Sequence, residues 1–288
     1  MSEYSCTDIA NKLVGMRPGQ LRVAAKYGSA CIANKQTLTV RDNFQSHADD
    51  VYKHMISAGN HVQIISSGAG ALGKKDFPLL RDKTNLSIPD KQMFSAAGQP
   101  KLMNAWGEAF SKHDITVGQA LVTRDNLNLK RENTSRLNYL NLMNSFTLSG
   151  CVPIINENDA IATDEISFGD NDMLAVMSAI ATGYDLILMN SKEQGFYDRN
   201  PDDPQAEHYA VVTEITDAHR AQASSVPVDH ISRGGAPSKL EAIDLALKHD
   251  VPVILYSGLH DHSLSQVLSG DKLCTVFVPP VILDQVIG

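Results

Sequence analysis

Three short stretches carry the residue types that could hold an anion or help to move one. Lys26-Tyr27-Gly28-Ser29 follows an apolar run at residues 21–25 that reads as a first strand. A lysine, a glycine and a hydroxyl at a strand end can hold phosphate through one ammonium and backbone N–H groups, although the same residues also make an ordinary turn. Residues 229–239, DHISRGGAPSK, bring Gly234, Gly235 and Lys239 to the start of a helical pattern through Leu240, Ile243 and Leu247. Glycines there let N–H groups approach a phosphate, and the helix dipole adds to the attraction. Between these two, residues 151–183 run from an apolar segment through Asn156, Glu157, Asn158, Asp159, Asp164 and Glu165 to Gly169-Asp170-Asn171-Asp172. Met173, Leu174, Met177 and Ile180 follow at helical spacing. An isolated Gly-Asp-Asn-Asp reads either as a capped helix behind an acidic loop or as a carboxylate aimed into a cleft. The density of carboxylates and carboxamides at the end of a buried strand favours the cleft, because open α/β sheets build their sites there.

The elements that must position these groups alternate along the chain. Residues 1–20 lack a clear period and read as an N-terminal extension or loose helix. From residue 42 to 57, Phe44, Ala48, Val51 and Met55 mark one face of a helix stopped by Gly59. His47 and His54 lie beside that face without a ligand set and read as surface histidines. Residues 61–67 form a second strand that opens into Gly68-Ala69-Gly70-Ala71-Leu72-Gly73. This matches the dinucleotide fingerprint GxGxxG, yet the following KKDFPLLRDKTNLSIPDKQ has two prolines and no second βα unit, so a nicotinamide or flavin site lacks half its support. Residues 91–113 are helical, with an interruption expected at Gln99-Pro100 and with the sole Trp106 in the core or an interface. Residues 115–122 read as a strand, and residues 134–149 as a helix with Leu137, Leu140, Met143 and Phe146 inward. Residues 186–189 are a short buried strand leading into Asn190-Ser191-Lys192, and residues 251–256 and 274–278 close the sheet. Strands alternating with helices define the fold class as α/β, a three-layer αβα sandwich with a mostly parallel central sheet.

Bulk properties narrow the partners. The 288 residues include 25 basic and 33 acidic side chains, for a formal charge of −8, so neither nucleic acid nor a membrane surface is an expected partner. An anionic substrate then requires a locally basic cleft. Cys6, Cys31, Cys151 and Cys274 are far apart, without CxxC spacing, and read as reduced thiols of a cytoplasmic protein. No signal peptide or membrane span is evident. No Walker A, GxSxG or HExxH pattern occurs, which disfavours P-loop, hydrolase and zincin chemistry.

The segment INENDAIATDEISFGDNDMLA resembles the signature region of glutamate 5-kinases, members of the amino acid kinase superfamily that open proline biosynthesis. The resemblance extends over about residues 21–279, including KQMFSAAGQPKLM and Thr123-Arg124-Asp125. It implies an amino acid kinase fold over residues 21–288, with residues 21–185 binding the acyl acceptor and residues 186–288 the nucleotide. No PUA domain, such as many bacterial members append, is expected. The implied reaction is ATP-dependent phosphorylation of the L-glutamate side-chain carboxylate, with Mg2+ and no protein metal ligands assigned. The implied catalytic residues are Lys26, Asp172 and Lys239, the carboxylate of Asp172 holding the two lysines. Ser67, Asp159 and Asn171 are the implied glutamate-binding residues, Asn156 and Asp170 lesser candidates. Nucleotide binding falls to Lys26, Gly28, Ser191, Lys192, Tyr197, Arg233, Gly234, Gly235 and Lys239. At Lys192 the family usually has an acid, and in the 229–239 loop Arg233, Ala236, Pro237 and Ser238 depart from its Gly-Thr-Gly-Gly-Met-x-Thr-Lys. These departures leave open an amino acid kinase acting on another carboxylate or carbamate, or a non-catalytic regulatory paralogue. The resemblance further implies a homo-oligomer, proline as feedback inhibitor and glutamyl phosphate reductase as functional neighbour.

Overall fold

The computed structural model describes residues 4–83, 85–128, 134–162, 171–225 and 235–288. In chain order the elements begin with α1 (Cys6–Gly15), β1 (Arg22–Tyr27), α2 (Ser29–Ile32), β2 (Ala33–Asn34), β3 (Thr39–Val40), α3 (Phe44–His54), β4 (His61–Ser66), α4 (Ala69–Gly73) and α5 (Ile88–Ser111). Then come β5 (Val117–Val122), α6 (Thr134–Ser149), β6 (Val152–Glu157), α7 (Asn171–Thr182), β7 (Leu186–Ser191) and the short strands β8 (Phe196–Tyr197), β9 (His208–Tyr209) and β10 (Val211–Val212). The chain ends with α8 (Asp217–Ser225), α9 (Ala236–Lys248), β11 (Val253–Ser257), α10 (Ser263–Ser269), β12 (Cys274–Phe277) and α11 (Pro280–Ile287).

The main sheet has the order β10-β12-β11-β7-β1-β4-β6-β5. From β5 across to β11 every pairing is parallel; β12 runs antiparallel to β11, and β10 follows β12. A sheet buried on both faces calls for strands without a polar side, and β6 and β7 are buried at every position. The strand order reverses at β1: the chain first builds outward through β4, then returns to lay β7 and β11 on the other side. That reversal opens a crevice at the carboxyl ends of the central strands.

Two apolar layers cover the faces, and β1 shows how they are divided. Val23, Ala25 and Tyr27 belong to the layer made with α1, α3, α5 and α10, whereas Ala24 joins the layer made with α6, α7 and α9. By the same two-residue period Lys26 faces the α7–α9 side. The strand extends to Tyr27, so Lys26 is an in-register sheet residue rather than part of a turn after it.

Several local expectations change. Within residues 1–20, a Ser5–Asp8 capping box starts α1, whose Cys6, Ile9, Ala10 and Leu13 are buried in the core. The helix α5 runs unbroken through Pro100. There α4 and α5 press backbone on backbone: a Cβ on Gly98 would lie 1.7 Å from the Ala69 carbonyl oxygen, and one on Gly73 1.8 Å from that of Phe94. The GxGxxG glycines thus end in a five-residue helix packed on α5, not in the long helix a dinucleotide turn requires. His47 is not a surface residue; it is 2% exposed and bonds the Cys31 carbonyl through Nε2 at 3.3 Å. His54 is partly buried and bonds Ser265 Oγ at 2.7 Å. In α6 the buried residues are Tyr139 and Met143, while Leu137 is 55% exposed. Tyr139 earns its place through a buried bond to Ser178 Oγ of α7 at 2.7 Å, which fixes the rotation of α6.

Candidate active site

The crevice at the carboxyl ends of β1, β4, β6, β7 and β11 is a cleft of about 1980 Å³ whose lining includes Lys26, Ser67, Asp159, Asp172, Lys192 and Lys239. Its centre is one carboxylate between two ammonium groups. Asp172, in the first turn of α7 and 1% exposed, pairs through Oδ1 with Lys26 and through Oδ2 with Lys239 Nζ at 2.5 Å. Lys26 is 4% exposed. Charges this deeply buried persist only when paired, and here one carboxylate serves two cations, so the cluster carries a net positive charge toward the cleft. Lys239 stands one turn inside α9, whose N-cap is Gly235, and α9 packs beside α7 under the same face of β1.

Glycine backbone completes the cationic end. Gly28 caps α2, and a Cβ there would lie 3.4 Å from Lys26 Nζ and 3.5 Å from the Asn190 carbonyl oxygen. The bare backbone therefore leaves space next to the ammonium for a phosphate oxygen. Gly68, after β4, has φ +107, and a Cβ would meet Ile32 Cγ2 at 2.8 Å. Only glycine fits that turn, which orients Ser67.

A second set of polar groups lies toward β4 and β6. Asn171 Nδ2 donates to Ser67 Oγ at 2.7 Å and to Asn156 Oδ1 at 2.8 Å. One carboxamide thus ties the ends of β4 and β6 to the start of α7, next to the Asp172 cluster. Asp159, in the turn after β6, also lines the cleft. Ser66 lies behind it, accepting the Trp106 indole N–H at 2.9 Å, so the tryptophan is a core residue that anchors this strand end.

At the β7 end, Ser191 Oγ donates to Glu193 Oε2 at 2.7 Å, and Glu193 Oε1 lies 3.4 Å from Lys192 Nζ. Lys192 is 51% exposed on its side chain, so its charge is neighboured by a carboxylate one residue further on. Tyr197 lines the cleft from β8, paired with β9. Arg233, Gly234 and Asp170 lie outside the described residues. Glu157, expected in the polar loop, instead ends β6 and lines the cleft as a buried residue, and Glu193, which no motif marks, lines it as well. The one signal for Glu193 in the sequence is its position beside Lys192. Among the described residues no group of three His, Cys, Asp or Glu side chains is gathered to hold a metal ion.

A mostly parallel αβα sheet that brings two lysines, one shared carboxylate and glycine turns to its switch point defines an α/β protein with a cationic cleft at the carboxyl ends of its strands. More particularly, the chain belongs to the amino acid kinase family, whose sequence model matches residues 22–257. It is 35% identical over 262 residues to the glutamate 5-kinase of Anaeromyxobacter dehalogenans, covering 90% of this chain and 67% of that protein. It is 37% identical over 262 residues to the glutamate 5-kinase of Paracoccus denitrificans, covering 90% and 68%. For the enzyme of that name from Caulobacter vibrioides the identity is 35% over 258 residues, with 87% and 66% covered. The chain spans about two thirds of the length of these relatives. The crystal structure of UMP kinase from Ureaplasma parvum superposes with a TM-score of 0.58 at 18% identity, over 90% of this chain and 99% of that one, a likeness of fold. Among the described residues no helix is long and apolar enough to cross a membrane.

Proposed function

We propose that the chain transfers the γ-phosphoryl group of ATP to the side-chain carboxylate of L-glutamate, giving L-glutamyl 5-phosphate and ADP, the reaction that the names of its relatives denote. The observation that carries the reading is the Lys26–Asp172–Lys239 cluster at the floor of the cleft. A carboxylate acceptor is ionised at neutral pH and needs no general base. The obstacle is repulsion between two anions and the charge on the equatorial oxygens of the moving phosphoryl group, which calls for fixed cations and N–H groups rather than proton transfer. In this reading one glutamate oxygen attacks the γ-phosphorus in line while the bond to the ADP oxygen breaks, and Lys26 and Lys239 neutralise the transferring group from two sides. Asp172 holds both ammonium groups in place, so little reorganisation is needed when charge develops.

Glutamate would lie toward Ser67, Asn156, Asp159 and Asn171, with Asp159 facing its ammonium group. The Ser67–Asn171–Asn156 bonds pre-orient donors and acceptors for this ligand. The nucleotide would lie toward Gly28, Ser191, Lys192, Tyr197 and Gly235, with Arg233 and Gly234 assigned by resemblance alone. Magnesium, brought with the phosphates, would supply further charge neutralisation. The bare backbone at Gly28 beside Lys26 is space that such a ligand fits. The product is a labile acyl phosphate, so a reductase that consumes it is the expected neighbour; homo-oligomerisation and inhibition by proline belong to the same proposal.

The deciding experiment follows ADP release from ATP and magnesium with L-glutamate, D-glutamate, L-aspartate, N-acetylglutamate and carbamate, with hydroxylamine as trap. Hydroxamate formed selectively from L-glutamate supports the proposal. Selective turnover of another acid replaces the substrate, and no turnover with any acid refutes the activity.

A further inference from the structure

Behind the β8 wall of the cleft lies a fully buried threonine whose hydroxyl has no part in the Lys26–Asp172–Lys239 cluster. Thr275 is the second residue of β12 and stands opposite Leu255 of β11. Leu255 and Phe277 belong to the apolar layer toward α7 and α9, and by the two-residue period Thr275 points into that layer too. A valine would fill the same space without a polar group to satisfy, so the hydroxyl calls for a reason.

Its bonds supply one. Thr275 Oγ1 accepts the Phe196 N–H at 2.8 Å, donates to the Tyr209 carbonyl at 2.6 Å, and lies 3.2 Å from His208 Nε2. All three partners belong to the hairpin β8–β9, whose strands meet only at Phe196 opposite Tyr209 and Tyr197 opposite His208. So short a ladder is marginal by itself in water. The second strand is secured by continuity, since β9 leads through Ala210 into β10, and the Ala210 carbonyl accepts the Val276 N–H of β12 at 3.0 Å. The first strand is not, because among the described residues β8 pairs with β9 alone. The bond from Phe196 to Thr275 therefore ties β8 to the main sheet. The approach is close: a Cβ on Gly195 would lie 2.7 Å from Thr275 Oγ1 and 2.6 Å from His208 Nε2.

The same hairpin borders the cleft. Tyr197 lines it from β8, and Arg199, Asn200 and Asp202 line it from the turn at residues 198–207. We infer that Thr275 is a positioning residue for the nucleotide: its hydroxyl sets the height of β8 over the sheet, and so the place of Tyr197 and the 198–207 turn against ATP. The inference rests on the nucleotide lying at this end of the cleft, as proposed above. Without the hydroxyl, the Phe196 N–H and the Tyr209 carbonyl lose a shared partner inside an apolar layer, and the hairpin must shift to regain one. Ser67 and Asp159 stand at the ends of β4 and β6, on the far side of β1 from β12, so the acceptor side is left as it was.

The test measures ADP binding by calorimetry and steady-state kinetics on the full chain and its Thr275→Val and Thr275→Ser variants. Thr275→Val should bind ADP about 10-fold more weakly and raise KM for ATP by a similar factor, with kcat and KM for the acceptor within about twofold of the wild type. Thr275→Ser, which keeps the hydroxyl, should restore both nucleotide values. Hydrogen exchange on the wild-type chain gives a readout independent of how the variants fold: the Phe196 amide and the peptides covering residues 195–209 should exchange more slowly once ADP is bound. Unchanged ADP affinity in Thr275→Val, parallel rises in both KM values, no rescue by serine, or exchange at residues 195–209 indifferent to ADP would each overturn the inference while leaving the phosphoryl transfer standing. A wild-type chain that binds no ADP would overturn it together with the nucleotide reading, and calorimetry on the wild type separates that outcome from the others.

Discussion

Lys239 Nζ lies 2.5 Å from Oδ2 of Asp172, an ion pair that locks the first turn of α9 to the first turn of α7 below the end of β1. The other carboxylate oxygen is taken by Lys26. The geometry of both lysines therefore depends on a single side chain from a third element.

Removing either ammonium group should act on the transition state more than on glutamate binding. Lys26→Ala and Lys239→Ala are expected to lower kcat by about 10²–10³-fold, with a much smaller change in KM for glutamate. Steady-state kinetics of the two variants check this, and a loss confined to KM contradicts the assigned roles. Asp172→Asn, which leaves the buried Lys26 and the partly buried Lys239 facing a neutral group, should in addition destabilise the fold by about 3–5 kcal/mol, read from denaturant unfolding.

Ser67 and Asp159 should show the opposite pattern. Ser67→Ala removes one of the two acceptors of the Asn171 carboxamide and one partner for substrate, and is expected to raise KM for glutamate about 10-fold with kcat little changed. Asp159→Ala should raise it further, since an ammonium partner is lost. A drop in kcat at unchanged KM in either variant would move these residues from glutamate to the reacting phosphoryl group.

The Gly68 turn offers a structural control. Gly68→Ala must place a Cβ 2.8 Å from Ile32 Cγ2 on a backbone with φ +107. Left-handed strain and overpacking together should cost about 2–4 kcal/mol. Thermal unfolding measures the cost, and wild-type stability in this variant would show that the turn relaxes freely.

Buried His47 gives the fold an acid-sensitive component. Burial, the largest cause, lowers its pKa from 6.5 to about 4 against the bond to the Cys31 carbonyl and the nearby Asp50. The unfolded chain then binds a proton at a higher pH than the folded one, so stability is fully present above about 6.5 and is lost as pH falls toward 4. The loss attributable to this residue is at most about 3 kcal/mol. Comparing unfolding free energies of the wild type and His47→Gln from pH 7 to 4 should show a flatter profile in the variant; parallel profiles would remove His47 as the source.

Much of the architecture is legible locally. Alternation and apolar runs mark β1, β4, β6 and β7, a four-three-four spacing marks α3, and Gly59 stops that segment in the left-handed conformation. Local chemistry marks Lys26, Asp172 and Lys239 only as groups able to meet an anion, since the same residues also serve ordinary turns and helix caps, and it is the resemblance to glutamate 5-kinases that brings them forward as a catalytic set. Their convergence is a different matter. Lys26 reaches Asp172 and Lys239 because β1 lies at the centre of the sheet with its even-numbered residues toward α7 and α9, and a period of two cannot say which helices cover which face. The same limit explains His47, on the flank of an amphipathic helix, buried against the rings of Tyr27 and Phe44, which Trp106 in turn packs on. It explains Leu137 as well, left in solvent when the Tyr139–Ser178 bond sets the turn of α6. Periodicity along the chain determines what each element is and which side is apolar. Which charges meet is decided by the order of strands and the covering of both sheet faces, a nonlocal packing problem no single segment encodes.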